Sequence, residues 1–115
     1  MIQRIDVGPR MSEAAIHNGV VYLAGQVATG AATDIGGQTR DVLAAIDALL
    51  AKAGTDKSRV LRAQIFLADM ADFPGMNAVW DQWVVPGHTP ARATVQAARL
   101  PRDAKVEIEA IAVTG

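Results

Sequence analysis

The sequence predicts an α+β fold in which a β-sheet carries two helices on one face. Three observations predict it. Apolar and polar residues alternate along 60–67, 91–97 and 105–113, the two-residue period of strands. Between Thr39 and Ala53 the apolar positions Val42, Leu43, Ile46, Leu49, Leu50 and Ala53 recur instead at spacings of three and four, the stripe of a helix buried along one side. A second helical stripe, Phe73, Met76, Trp80 and Trp83, separates the first and second of these strands from each other along the chain.

Taken in order, the run Val20-Val21-Tyr22-Leu23-Ala24 follows Asn18-Gly19, a dipeptide suited to a tight hairpin turn, so Ile16 and His17 end a preceding strand. Residues 25–33 are rich in glycine and alanine without a period and read as a loop, with Asp34 as the cap of the first helix and Gly54 as its stop. In the next strand Leu61, Ala63, Ile65 and Leu67 are expected on one face, alternating with Arg62, Gln64 and Phe66. Asp72 suits the N-cap of the second helix, Pro74 is tolerated in its first turn, and Pro86-Gly87 ends it.

The last two strands, joined by a loop containing Leu100-Pro101-Arg102-Asp103, are expected to pair antiparallel. Ala93, Val95 and Ala97 with Val106, Ile108, Ala110 and Ala112 then make the face under the helices. Arg92, Thr94 and Gln96 share the other face with Lys105, Glu107 and Glu109. Symmetric closure puts Arg92 near Glu109 and Thr94 near Glu107, whereas a slide of two residues sets Arg92 opposite Glu107. Either register gathers an arginine and two carboxylates. Tyr22, Phe66, Ile111 and Val113 are candidate apolar members of this uncovered face, with the facing of Tyr22 and Phe66 left open. A partner subunit is its expected cover.

At 115 residues the chain is expected to form one domain, 1–115. Half the residues are hydrophobic and a fifth charged, yet no apolar stretch is long enough to span a bilayer, the first residues lack a signal-peptide pattern, and there is no cysteine. These features predict a cytoplasmic protein with no membrane partner. A net charge of -1 without a basic run argues against specific nucleic-acid binding. With His17 and His88 as its only histidines and no ligand spacing, the chain offers no metal motif; a thiol nucleophile and a glycine-rich phosphate loop are also missing.

The segment Pro90-Ala91-Arg92-Ala93-Thr94-Val95, followed by Ala98-Arg99-Leu100-Pro101-Arg102-Asp103-Ala104-Lys105-Val106-Glu107-Ile108-Glu109-Ala110-Ile111-Ala112-Val113, closely resembles the carboxy-terminal signature of the YjgF/RidA family. Ala24-Gly25-Gln26, Gln38-Thr39-Arg40, Asp72-Phe73 and Met76-Asn77-Ala78-Val79-Trp80 fall in the family's order as well, so the resemblance covers nearly the whole chain. It implies a chorismate-mutase-like fold with a mixed sheet, and a homotrimer whose sheets wrap an inner barrel and form clefts between adjacent subunits. The implied activity is hydrolysis of 2-imino or 2-enamino acids to 2-oxo acids and ammonia, without a cofactor.

The resemblance carries the substrate-anchoring arginine to Arg92 and the acid–base carboxylate to Glu107, with Gly25, Asn77 and Thr94 as further substrate-binding residues. A guanidinium suits the first role because it grips a carboxylate with two parallel charge-assisted bonds, and a carboxylate suits the second because it orients water and accepts its proton. The partner implied is a small carboxylate-bearing imine or 2-oxo acid. Two positions depart from the family's deaminating members: Met11 stands in place of a tyrosine and Thr94 in place of a cysteine, and the loop between Gln26 and Gln38 is shorter.

From the residues alone, Arg92 and Glu107 also fit a structural ion pair, Glu109 a rim charge, Asn77 a helix cap, Trp80 and Trp83 helix packing, His88 an exposed loop, and His17 a structural hydrogen bond. Three other functions remain open at this point: a noncatalytic trimer that binds small carboxylates, the ribonuclease or translation-inhibitor activity attributed to some relatives, and a structural or partner-modulating trimer in which Arg92 is dispensable.

Overall fold

The computed structural model describes residues 1–114. Seven strands form one mixed sheet: β1 (Gln3–Val7), β2 (Ser12–His17), β3 (Val20–Leu23), β4 (Gln26–Val27), β5 (Val60–Leu67), β6 (Ala91–Gln96) and β7 (Val106–Val113). Helix α1 (Ile35–Lys52) lies between β4 and β5 in the chain, and α2 (Phe73–Trp83) between β5 and β6. The sheet order is β1-β2-β3-β7-β5-β6, with the short β4 also paired to β7. This is the expected α+β architecture, with both helices on one face of a mixed sheet.

Local chemistry explains the elements. Asn18 and Gly19 both take positive φ, 51° and 76°, the turn conformation whose twist matches the β2–β3 hairpin. Asp34 caps α1 by accepting a hydrogen bond from the Gly37 amide at 3.1 Å, which holds the Asp34 carboxyl below its ordinary value. Val42, Leu43, Ile46, Leu49 and Leu50 are buried as their spacing requires, joined by Thr39, whose hydroxyl donates to the Ile35 carbonyl at 2.7 Å. Asp72 occupies the N-cap position of α2 without a side-chain cap bond; the helix is entered through a short 3-10 turn, and Asp69 caps that turn by accepting from the Ala71 amide. The expected loop at 25–33 contains β4.

The pairing of the last strands differs from the expected hairpin. β7 lies between β3 and β5 and runs antiparallel to both, while β6 pairs parallel to β5 at the edge of the sheet. The β5–α2–β6 crossover is the reason: a helix between two strands carries the chain back over the sheet and sets the second strand parallel to the first. β6 and β7 therefore never touch through a ladder, and neither register expected for them exists.

The crossover also reverses the faces assigned to β6. Ala63, Ile65 and Leu67 of β5 are buried under the helices, and their partners on β6 are Arg92, Thr94 and Gln96. It is these polar residues, not Ala93 and Val95, that stand on the helix side; Val95 is 46% exposed on the other. On β7 the expectation holds, with Val106, Ile108, Ala110 and Ala112 buried, and with Glu107 aligned to Phe66 and Glu109 to Gln64 on the open face. Tyr22, aligned with Ile111, joins that open face and is 51% exposed. Among the described residues no helix is long and apolar enough to cross a membrane.

A second difference lies within β5. The ladder to β7 shifts between Val60 and Arg62, so Val60 is buried and Leu61 is 52% exposed, although Leu61 falls in the alternation with Ala63, Ile65 and Leu67. A bulge inserts one residue and inverts the facing on its near side. The two leucines of this strand therefore separate energetically. Leu67→Ala, at a fully buried position, is expected to cost about 2–5 kcal/mol in urea unfolding at fixed protein concentration, and Leu61→Ala within about 0.5 kcal/mol. Equal losses would contradict the bulge.

Candidate functional site

Two clusters, on opposite faces of the sheet, contain all five candidate residues. The first surrounds Arg92. Its edge strand and the overlying α2 bring together Arg92, Asn77, Phe73 and Trp80: Arg92 Nη1 donates to Asn77 Oδ1 at 2.8 Å, and its guanidinium carbon lies 5.7 Å from the Phe73 ring centroid and 5.2 Å from that of Trp80. Phe73, Asn77 and Trp80 follow one another by four and three residues, so one stripe of α2 supplies all three contacts. A cation over an aromatic ring gains about 0.5–2 kcal/mol as water is excluded. The arrangement holds the guanidinium without neutralising it, since no carboxylate among the described residues forms an ion pair with Arg92.

Thr94 sits two residues along the same strand face. Its Oγ1 is buried and is the side-chain atom that lacks a hydrogen-bond partner among the described residues. An unpaired buried hydroxyl costs roughly 1–3 kcal/mol, so it stands out beside a cation that also has unused donors.

The second cluster is on the open face. Glu107 of β7 packs on Gly25, between β3 and β4, closely enough that a Cβ added at Gly25 would collide with Glu107 Oε2 and stand 2.9 Å from its Cδ. Glycine here is a requirement of that close approach. The Glu107 carboxyl is raised above its ordinary 4.5, first by burial and then by the like charge of Glu109. Gln26 follows, its Nε2 donating to Glu13 Oε1 at 3.2 Å and to the Ala24 carbonyl at 3.1 Å. The same face carries a concavity of about 270 Å³ bordered by Tyr22, Arg62, Gln64, Glu109 and Ile111.

Thus the structure unites Arg92 with Asn77 and Thr94, and Glu107 with Gly25, but it separates the two sets. Arg92 aligns with Ala63 on the helix side, Glu107 with Phe66 on the open side, and β5 runs between their strands. The expectation that Arg92, Glu107 and Glu109 share one surface of the chain is overturned by the parallel placement of β6. Lys105 also leaves that group, since it precedes β7 and borders a loop cavity. His88 is exposed, and His17 Nδ1 lies 3.3 Å from the Met1 carbonyl.

The aromatic partners of Arg92 are what the sequence reading missed. Trp80 and Phe73 read as packing residues, and Trp80 is indeed buried, but both also flank the guanidinium. The signal was present in their spacing from Asn77 together with the strand–helix–strand order. No group of three or more histidine, cysteine, aspartate or glutamate side chains among the described residues is placed to hold a metal.

Comparison with known proteins agrees with this fold and residue pattern. A family model described as Endoribonuclease L-PSP matches residues 1–114. A RutC family protein of Haemophilus ducreyi is 52% identical over 108 residues, covering 94% of this chain and 92% of its own. The RutC family protein YoaB of Escherichia coli K12 is 49% identical over 111 residues and 96% of each chain. Among solved structures, a YjgF family member from Neisseria meningitidis superposes with a TM-score of 0.96 at 45% identity, covering 100% of this chain and 96% of that one. The chain belongs to the YjgF/RutC family, whose model carries the description Endoribonuclease L-PSP.

Proposed function

We propose that the protein is a homotrimer that hydrolyses 2-imino or 2-enamino acids to 2-oxo acids and ammonia, in clefts where the Arg92 face of one subunit meets the Glu107 face of another. The observation that carries this reading is the Arg92 cluster: a part-buried cation held by Asn77 and two rings, with no carboxylate partner among the described residues, is built to receive an anion. Separation of Arg92 and Glu107 across the sheet supports the assembly, because an acid–base group must lie within hydrogen-bond reach of the water it activates. The open face, with Tyr22 and Val95 about half exposed, supplies apolar surface for subunits to cover.

In the proposed reaction Arg92 binds the substrate carboxylate through the donors that Asn77 leaves free, and the Thr94 hydroxyl donates to the same group. Glu107, backed by Gly25, takes a proton from water as the oxygen attacks C2 of the imine. The electron pair of the C=N bond moves to nitrogen, which is protonated; a second proton transfer then expels ammonia as the C2–O bond becomes a carbonyl. Atoms and charge balance with one water consumed, and no cofactor takes part. The near-neutral charge of the chain gives RNA no steering field, which favours this reading over ribonuclease action.

Variants at the two faces are expected to fail differently. Arg92→Ala abolishes both turnover and binding of a stable 2-oxo acid, and Arg92→Lys recovers little, because a point charge lacks the planar fork. Glu107→Gln retains binding and slows turnover by ~100-fold or more. The measurements are hydrolysis of an imine generated in place by an amino-acid oxidase, calorimetry with the 2-oxo acid, and sedimentation to verify an unchanged trimer. Because the raised Glu107 carboxyl must be ionised to act, activity is present above its shifted value and lost as pH falls through it, and the acid limb lies above that of an ordinary carboxylate. Normal turnover by Arg92→Ala refutes the site; wild-type inactivity with retained binding supports a noncatalytic carboxylate-binding trimer instead.

Gly25 gives an independent check. Gly25→Ala places a methyl group against the flexible end of Glu107, so the carboxylate moves while the backbone stays. The expected result is a kcat loss approaching that of Glu107→Gln with near-normal 2-oxo acid binding and urea stability. Unchanged kcat contradicts the proposed use of Glu107.

A further inference from the structure

Away from both clusters, the loop between β4 and α1 and the connection between β6 and β7 enclose a cavity of about 320 Å³. Its wall is formed by residues 30–33 on one side, by Arg102, Asp103 and Lys105 on the other, and by Gln38 from the first turn of α1. Gln38 ties the two sides together. Its Oε1 accepts from the Lys105 amide at 2.8 Å, and its Nε2 donates to the Ala32 carbonyl at 3.2 Å. The loop is also fixed at its start, where the amides of Thr29 and Gly30 both donate to Asp41 Oδ2 at 2.9 Å.

The charges on this wall do not cancel. Arg99 engages the Asp103 carboxylate, with Nη2 at 2.8 Å and Nε at 2.9 Å, and Asp34 nearby accepts from the Gly37 amide and also feels the charges of Arg40 and Lys105, without an ion pair to either. Neither Arg102 nor Lys105 forms an ion pair among the described residues, so two cations border the cavity with their donors free of any carboxylate. Arg102 and Asp103 both hold positive φ, 60° and 52°, a conformation that costs roughly 1–2 kcal/mol per non-glycine residue. That backbone carries the Arg99–Asp103 pair beside Arg102.

We propose that this cavity binds a phosphate group, gripped by Arg102 and Lys105 and bordered by the loop 30–33. Two cations match the double charge of a phosphate, and the volume, at the low end of small-molecule pockets, exceeds the needs of the free ion and accommodates a small phosphomonoester. The site lies outside the Arg92 and Glu107 clusters and is independent of the reaction proposed for them.

The test is a titration of the intact, isotope-labelled protein with inorganic phosphate and, separately, with glycerol phosphate, followed by amide chemical shifts. Saturable shifts are expected at residues 30–33 and 102–105. Arg102→Asn, which tolerates the left-handed backbone, combined with Lys105→Gln weakens binding ~10-fold or more, the scale of two lost charge-assisted bonds. Lys105→Gln alone retains the backbone amide that Gln38 holds, so its own several-fold loss separates charge from loop geometry. Tighter binding of glycerol phosphate identifies an organic phosphate as the ligand, and equal binding the free ion; both support the site. Absence of saturable shifts there up to roughly 10 mM ligand, shifts confined to the Arg92 cluster, or wild-type affinity in the double variant overturns the proposal.

Discussion

Strand β5 governs the placement of Arg92 and Thr94 relative to Glu107. It pairs parallel with β6 on one side and antiparallel with β7 on the other, so two of its neighbours carry the chemistry and neither touches the other. The alignment of Ala63 with both Arg92 and Ala110 fixes the facing of each strand. Arg92 must stand on the side where Ala63 and Ala110 are buried, and Glu107, an odd number of residues from Ala110, must stand on the opposite side. A shift of one residue in either ladder would reverse a whole face, a change the buried Ile65, Leu67 and Ile108 oppose strongly.

This geometry gives the two charged groups different electrostatic settings. Arg92 lies beneath α2, where Asn77 accepts from one of its donors, two rings flank it, and no carboxylate among the described residues pairs with it. Glu107 lies on the open face, where burial and Glu109 both disfavour its ionised form. A structural ion pair within the chain would have cancelled both properties. Keeping them apart leaves a guanidinium without an ion-pair partner on one face and a carboxylate of raised proton affinity on the other, and in the function proposed above a second copy of the chain brings them together.

Much of the fold was legible in the sequence because its signals are local. The Asn18-Gly19 turn, the Asp34 cap and the stripe from Val42 to Leu50 all depend on neighbours within a few residues, and each stands as read. Pairing across the sheet is not local. The loop around Leu100-Pro101 resembled a hairpin connection, while the β5–α2–β6 order favoured a parallel pair; the crossover prevailed, and with it the facing of Arg92 and Thr94 changed. The bulge at Leu61 was likewise hidden, since one inserted residue leaves the alternation of letters intact. The candidate site residues came from family resemblance more than from geometry, and Phe73 and Trp80 escaped because an aromatic residue on a buried helical stripe looks the same whether or not a cation rests on it.

The central claim, that one site draws Arg92 from one subunit and Glu107 from another, is tested most directly by mixing two crippled variants. Arg92→Ala and Glu107→Gln subunits, unfolded together in equal amounts and refolded, form mixed trimers in which some clefts receive both intact groups. With random assembly roughly a quarter of the clefts should be restored, and imine turnover should recover in that proportion, whereas refolded alone Arg92→Ala remains inactive and Glu107→Gln keeps only its ~100-fold reduced turnover. Mixed trimers that form but show no recovery would contradict the account.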